Sequence, residues 1–503
     1  MSRLRGVLSL RSTQLVVLIA LAALQLVLKL PVLDVPLIRD EGMYGYQGTL
    51  ALHGYHPILD AWENKPYGVY YWAAFWQFLT ASHTAASLRI ASWGGWVGIL
   101  LAAFGLGRRR GLFAAYGSAG LGTLASLSVA SDSFRFVTEI PSQCWLLLSL
   151  LAVTRASKKW IGAGGACLAF GLLTRQTLLF YLPILLWEIA RERLRSRRLL
   201  AFVSGGIGGV VLVAMVIGPQ TFYRGMTTSY FLTRVTAAQT QDFANTYTSS
   251  IFAFERQVPI EAPLLVLLAA IGAIGLVLPH QPEPRPWMIF WLCLVGWFCA
   301  LTTQPYPKNL NQILPAVALL GGYGLQWLSV FCDERKKLAL AVSFSLLLAV
   351  NLAWSAARLA SGPHANQEML DFRQLAIFLK AHTRPTDSIY NWGNEWELYY
   401  EADRLGATRH INQSLMICMA HAAYVRGYPF RERATLEQNI LLKELLSQRP
   451  LYIVVSAPFV DFGAKDYFAP RAVEAIVAHD YEPCAGPPSQ FYQLYRRKEA
   501  AAP

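Results

Sequence analysis

From the N-terminus to about residue 361, the apolar residues of this chain fall in long blocks separated by short polar or basic stretches. The blocks lie at about 14–33, 86–106, 112–130, 139–153, 160–173, 177–189, 200–218, 262–279, 287–303, 310–331 and 338–360. A helix needs roughly 20 apolar residues to cross a bilayer. The pattern therefore predicts a mainly α, polytopic transmembrane helix bundle of about eleven spans. One further apolar stretch, 67–82, is too short to span and is rich in aromatics. It reads as a juxtamembrane helix lying in the interface.

After residue 361 the pattern changes. SIYNWG reads as a strand, LEQNILLKELLSQ as an amphipathic helix, LYIVVS as a buried strand, RAVEAIVAHD as a helix and FYQLYRR as an edge strand. This mixture predicts a C-terminal soluble α/β domain. The expected organisation is a membrane domain over 1–361, containing a first external loop at 34–85, followed by an extracytoplasmic domain over 362–503. The stretch 219–260 reads as a second long external loop.

Charge orients these elements. Of 503 residues, 54% are hydrophobic and only 15% charged, against about 25% charged in soluble domains. The net charge of +13 comes largely from short basic clusters at the N-terminus, 108–110, 155–159 and 191–198. The positive-inside rule explains such clusters, so no nucleic-acid partner is expected. It puts the N-terminus in the cytoplasm and the loop after the first span outside. The first apolar run lacks a small-residue cleavage site and reads as a retained helix. The seven cysteines show neither a CxxC pair nor zinc spacing. Cys418 and Cys484 would be able to pair in an oxidising compartment.

The densest chemistry lies in 39–71, RDEGMYGYQGTLALHGYHPILDAWENKPYGVYY. Asp40 and Glu41 stand side by side just beyond the first span. A solvated pair at a helix end is the bland account. Against it stand Gly42, Gly45 and Gly48, which permit close backbone approach. Tyr44 and Tyr46 between them offer apolar faces with polar tips to a sugar or headgroup. A carboxylate here suits a general base acting on an acceptor hydroxyl. Lys65, preceded by Trp62, Glu63 and Asn64 and followed by Pro66 and Tyr67, suits a phosphate. Its alternative is snorkelling toward lipid headgroups.

Three further residues join the candidates. Glu139 opens the helix that begins TEIP, where it either favours the helix N-terminus or supplies a second acid beside Asp132. Arg175, at the junction of two short apolar blocks, is a charge in the membrane region and so a functional candidate, unless that junction is a surface turn. Lys308 lies in QPYPKNLNQILP, on the external side. Arg89 reads as a snorkelling residue. Asp40 and Glu139 carry hard oxygens suited to a divalent cation such as magnesium or manganese, although the sequence requires none.

The motifs RDEGMYG…WENKPYGVYYW and QPYPKNLNQILPAVALL resemble those of GT-C glycosyltransferases. The nearest pattern is that of bacterial lipid A aminoarabinose transferases and protein O-mannosyltransferases. The resemblance runs in order through the membrane part, and YNWGNEWELYY is similar to the start of the soluble domain in such enzymes. It implies a multi-pass enzyme of the bacterial inner (plasma) membrane with a periplasmic C-terminal domain. The implied reaction moves a hexosyl or pentosyl group, with inversion, from a polyprenyl-phosphate-linked donor to a lipid (such as lipid A), glycan or protein acceptor. It implies Asp40 as catalytic base, Lys65 and Lys308 on the donor phosphate, and Glu139 near a second acidic position. The residue reading adds Glu41 beside Asp40, Arg175 on the phosphate, and Tyr44 and Tyr67 against substrate, with membrane lipids as partners. Tyr67 stands where the family pattern has a second proline, and Asn311 and Gln312 where it has Thr and Tyr. Two other classes fit the same charges. A transporter or flippase of lipid-linked sugars predicts paired halves with interrupted helices, and none are visible. A non-catalytic envelope-assembly subunit is the other.

Overall fold

A computed structural model of the chain describes residues 2–155, 157–191, 195–237, 258–278, 287–302, 306–362, 364–416, 418–419, 430–457 and 470–498. In chain order the helices are α1 (Ser2–Lys29), α2 (Arg39–Leu52), α3 (Gly68–Thr80), α4 (Ala85–Arg108), α5 (Leu112–Ala125) and α6 (Glu139–Val153). There follow α7 (Lys158–Leu172), α8 (Leu182–Ala190), α9 (Arg195–Ile217), α10 (Pro219–Ala237), α11 (Pro263–Val277) and α12 (Trp287–Thr302). The last are α13 (Leu314–Val330), α14 (Glu334–Ser361), α15 (Gln367–His382), α16 (Trp396–Ala402), α17 (Phe430–Gln448) and α18 (Pro470–Asp480). The strands are β1 (Ile389–Trp392), β2 (Tyr452–Val455), β3 (Tyr481–Pro483) and β4 (Gln493–Arg497).

The chain divides into two compact units. The first comprises Met1–Leu33, Arg89–Val213 and Asn245–Gly362; the second comprises Asp34–Leu88, Ala214–Ala244 and Pro363–Pro503. Among the described residues, four helical stretches are long and apolar enough to cross a membrane: Ser12–Val32, Ala85–Arg108, Arg195–Ile217 and Glu334–Ser361. Six shorter apolar helices accompany them. On α9, Val203, Ile207, Val211 and Met215 are exposed at helical spacing, as are Leu338, Val342, Leu346 and Val350 on α14. Such stripes suit a lipid environment. Inside the first unit, helices approach through small residues. A side chain at Gly322 would overlap Ser118 on α5, and one at Gly272 would overlap the Leu320 carbonyl between α11 and α13. Van der Waals contact through small residues is what holds helices together where lipid removes the hydrophobic drive.

The second unit is built on a four-stranded sheet of order β1-β2-β4-β3. β1 and β2 pair in parallel, and β4 pairs antiparallel with both β2 and β3. FYQLYRR is therefore an interior strand rather than the edge strand its composition suggested; the short β3, with exposed Glu482, takes the edge. Tyr390, Trp392, Ile453, Leu441, Val473 and Val477 form the core beneath the sheet. Trp62 from the first loop and Leu232 and Val235 from α10 enter that same core.

Two expected loops contain helix. The first external loop opens with α2, and 219–260 opens with α10, whereas 238–257 lies outside the described residues. In α2, glycines at every third position make one packing face. A Cβ at Gly42 would overlap the backbone of Glu397 on α16, one at Gly48 would lie 2.9 Å from the Ala74 nitrogen on α3, and one at Gly45 would lie 2.9 Å from Leu88 and Tyr400 side-chain atoms. These glycines thus serve helix packing rather than ligand approach. Arg89 also departs from expectation. It is buried in the first unit, with Nε donating to the Val32 carbonyl at 3.5 Å and its guanidinium 5.4 Å from the Phe134 ring.

Gly42→Ala should lower the thermal unfolding midpoint of the detergent-solubilised protein, since overpacking against backbone costs roughly 1–3 kcal/mol. Gly122→Ala, where an added Cβ meets nothing within 4 Å, should leave the midpoint unchanged or slightly raised.

Candidate active site

Asp40 and Glu41 occupy the first turn of α2. Acidic residues at a helix N-terminus complement the partial positive charge of its free amides. Glu41 is buried, and its Oε2 accepts the Ile38 N–H at 3.3 Å, the reach-back half of a capping box. Glu41 is therefore a capping group rather than a solvated carboxylate, whereas Asp40 is half-buried. Arg39 is tied down by ion pairs to Glu395 at 2.9 Å and Glu368 at 3.3 Å.

The segment between α2 and α3 brings Lys65 into the same unit. Gln47, buried on α2, accepts the Ile58 N–H at 3.2 Å and donates to the Ala61 carbonyl at 2.6 Å. These bonds hold Ile58 at φ 75°, a left-handed conformation that a β-branched residue adopts only under constraint. Downstream, the Trp62 N–H donates to the Arg409 carbonyl at 2.8 Å. The Asn64 carbonyl accepts from Ser229 Oγ at 2.8 Å and Thr233 Oγ1 at 3.2 Å, both on α10. Lys65 Nζ donates to Asn64 Oδ1 at 2.9 Å and is half-buried.

Glu63, two residues before Lys65, completes a group with Asp40 and Lys65 that forms a lip of the second unit. Its side chain is 3% exposed, and its Oε1 accepts the Asn64 N–H at 2.8 Å. Burial pushes its carboxyl above the usual carboxylate range, and the charge of Asp40 adds to that. Lys65 and the bonds from Asn64 and Asn412 oppose it. Glu63 thus links Asp40 and Lys65 electrostatically. It escaped the sequence reading because a lone Glu beside tryptophan carries no spacing signal; its place two residues before Lys65 was the available hint. Tyr70, whose hydroxyl donates to the Lys65 carbonyl at 3.4 Å, belongs to the same group. Tyr44, 6.3 Å from Tyr70 between ring centroids, and Tyr67 are both buried. The Tyr67 hydroxyl donates to the Thr221 carbonyl at 3.2 Å.

Below the lip, Trp62 packs edge-on to His410 at 4.8 Å, with the guanidinium carbons of Arg409 and Arg433 at 5.7 and 5.8 Å from its ring. Glu437 binds all three: Arg409, His410 Nε2 at 2.9 Å and Arg433 at 2.6 Å. Burial would raise the Glu437 carboxyl, but the His410 hydrogen bond and the two arginine charges outweigh it and hold it below its ordinary value.

The other candidates lie in the first unit. Glu139 begins α6 and is buried, and Arg175 Nη1 stands 2.9 Å from its Oε1 in an ion pair. Arg175 also donates to Thr138 Oγ1 at 2.8 Å, Thr177 Oγ1 at 3.1 Å and Asn309 Oδ1 at 3.1 Å. Arg175 is thus the hub of a buried network rather than part of a surface turn. Lys308 adjoins Asn309 on the 3₁₀ turn Pro307–Gln312, half-buried, with Nζ 4.9 Å from the Tyr306 ring centroid. Among the described residues no three His, Cys, Asp or Glu side chains converge as metal ligands. Cys418 is buried and Cys484 half-buried, and no disulfide joins them.

The fold is similar, over nearly the whole chain, to that of one protein solved in two states. The chain superposes on ArnT from Cupriavidus metallidurans in its apo state with a TM-score of 0.57 at 15% identity, covering 96% of this chain and 98% of that one. The same protein bound to undecaprenyl phosphate gives a TM-score of 0.54 at 14% identity, with the same coverage. No family model matches the sequence, and no curated protein sequence does.

Arg175→Ala should destabilise the protein by roughly 3–5 kcal/mol, because it strands a buried carboxylate. Adding Glu139→Gln should recover part of that loss in a thermal-unfolding cycle. Glu63 supplies a pH test. Its folded-state value is raised, so its stabilising contribution is full below the unfolded carboxylate value near ~4.3. That contribution is lost as pH rises through the higher folded value. Glu63→Gln should flatten this part of the stability–pH curve.

Proposed function

We propose that the protein is a multi-pass membrane glycosyltransferase that moves a sugar from a polyprenyl-phosphate-linked donor to an extracytoplasmic acceptor. The observation that carries this reading is the Asp40–Glu63–Lys65 lip, a carboxylate, a buried carboxyl and an ammonium held by one helix start and one strained loop. It occurs in a chain whose fold matches, over nearly its whole length, that of a protein solved with undecaprenyl phosphate.

In this reading Lys65 neutralises the donor phosphate as negative charge develops on it. Asp40 orients the acceptor hydroxyl and takes its proton. The acceptor oxygen attacks the anomeric carbon, the bond from that carbon to the phosphate oxygen breaks, and polyprenyl phosphate leaves with inversion. A phosphate is already a competent leaving group, so positioning and charge stabilisation supply most of the acceleration. Lys308 is proposed as a phosphate contact from its own unit. Arg175 is better suited to shaping that region than to binding, because Glu139 and three neutral acceptors already engage it. Tyr44 and Tyr67 are proposed to support the lip from beneath. Magnesium or manganese at Asp40 belongs to the proposal as an auxiliary, and no step above runs through it. The proposal includes about eleven spans, a cytoplasmic N-terminus, and the second unit on the extracytoplasmic side of an inner (plasma) membrane.

The test uses protein in nanodiscs with a polyprenyl-phosphate sugar and a crude envelope acceptor fraction. Asp40→Asn should lower kcat by about 10²–10⁴-fold, the usual share of a general base. Lys65→Ala should lower kcat/KM for the donor by about 10–100-fold, as expected for a lost charge-assisted contact. Transfer that survives Asp40→Asn unaltered would overturn the assignment.

A further inference from the structure

Between α10 and α17 the second unit has an open cleft of about 450 Å³, lined by Thr227, Thr228, Phe231, Glu432, Arg433 and Leu436. That volume falls in the range of small-molecule pockets, roughly 300–1,000 Å³. The walls are mixed: two hydroxyls, one aromatic face, one aliphatic side chain and a pair of opposite charges. The helix α10 adds cations at both ends of the wall. Arg224 precedes Thr227 by one turn and Arg234 follows Phe231 by one turn, and both are exposed. Tyr223 and Tyr230 on the same helix are 69% and 65% exposed, and the Arg234 guanidinium lies 5.9 Å from the Tyr230 ring. Exposed tyrosines beside arginines and threonines present stacking faces, hydroxyls and positive charge together.

The cleft is coupled to the lip. Ser229, next to Thr228, donates to the Asn64 carbonyl, and Asn64 in turn accepts Lys65. Arg433 reaches from the cleft to the face of Trp62, three residues before Lys65. Gly225 lies on the same helix, where an added Cβ would overlap the Tyr67 hydroxyl, so α10 is seated tightly on the lip segment.

We infer that this cleft is the acceptor subsite and that it takes an anionic saccharide, a sugar bearing a phosphate or carboxylate. The aromatic and hydroxyl walls hold the ring, while Arg224 and Arg234 outweigh Glu432 and select for negative charge, Arg433 being already paired with Glu437. This rests on the glycosyltransferase reading for the word acceptor, but the binding itself is measured without donor, so the two can fail separately.

The experiment uses the full chain in nanodiscs of zwitterionic lipid, without donor. Binding of glucose 6-phosphate, glucuronate, glucose and inorganic phosphate is followed by saturation-transfer NMR and calorimetry. The two anionic sugars should bind at least tenfold more tightly than glucose, and glucose 6-phosphate more tightly than inorganic phosphate. Thr228→Trp, which fills the cleft, and Arg234→Ala should each weaken that binding tenfold or more. Leu436→Trp closes the cleft from its exposed wall and should do the same should Thr228→Trp fail to fold. No binding of either anionic sugar, equal binding of glucose or of inorganic phosphate, or binding unaffected by the filled cleft would each overturn the inference. Loss of transfer in Asp40→Asn together with intact sugar binding would leave both readings standing. Sugar binding abolished by the filled cleft in a protein that shows no transfer from the polyprenyl-phosphate donor would keep the subsite and remove the enzyme.

Discussion

The contact on which the second unit depends is the one between α2 and α16, where Gly42 lies against the backbone of Glu397 with no side chain between them. Helices that touch through backbone have one register available, since any sliding brings a side chain into the gap. Asp40 lies two residues before that contact, in the same helical turn. The ion pair from Arg39 to Glu395 and the reach-back bond from Glu41 to the Ile38 amide fasten the turn from either side. A proton acceptor contributes only when it stays within hydrogen-bond reach of the group it serves. The packing of α2 therefore fixes the turn that carries Asp40.

The lysine is held by a different device. Its segment is not helical, so its geometry comes from side-chain amides and hydroxyls that replace a ladder: Gln47 on one side, Ser229 and Thr233 on the other. Ile58 in a left-handed conformation shows that this bracing overrides local preference. Strain of that kind persists only where the surroundings determine the backbone more strongly than the residue does. Beside Lys65, a carboxyl already raised by burial gives up its charge at less cost than a solvated one when another anion is brought close.

In the first unit the corresponding constraint is the Glu139–Arg175 pair, removed from water and surrounded by neutral hydrogen-bond partners. Such a pair gains little over apolar packing, but once formed it cannot lose either member cheaply. Around it, Thr177 donates to Gln312 at 3.0 Å, and Asn311 donates to the Ser131 carbonyl at 2.7 Å. Asn311 and Gln312, two of the three departures from the pattern the sequence resembles, are thus buried and bonded within the unit.

Much of this was legible as pattern. Apolar blocks marked the helices of the first unit because lipid demands length and hydrophobicity, both of which are written locally. β1, β2, α17 and α18 were legible because period and β-branched content are local too. What the sequence concealed was every feature set by a partner distant in the chain. α2 has a glycine-rich, tyrosine-rich composition that says loop, and only α3 and α16 make it a helix worth forming. The same composition suggested room for a sugar, whereas the space is occupied by neighbouring backbone. Glu63 looked like an unremarkable loop residue until burial made it a titrating group. Glu41 and Asp40, indistinguishable as adjacent acids, separate by one helical position: the third residue of a helix can reach back to the cap amide and the second cannot. That geometric difference commits Glu41 to the backbone and gives it a place distinct from that of its half-buried neighbour Asp40.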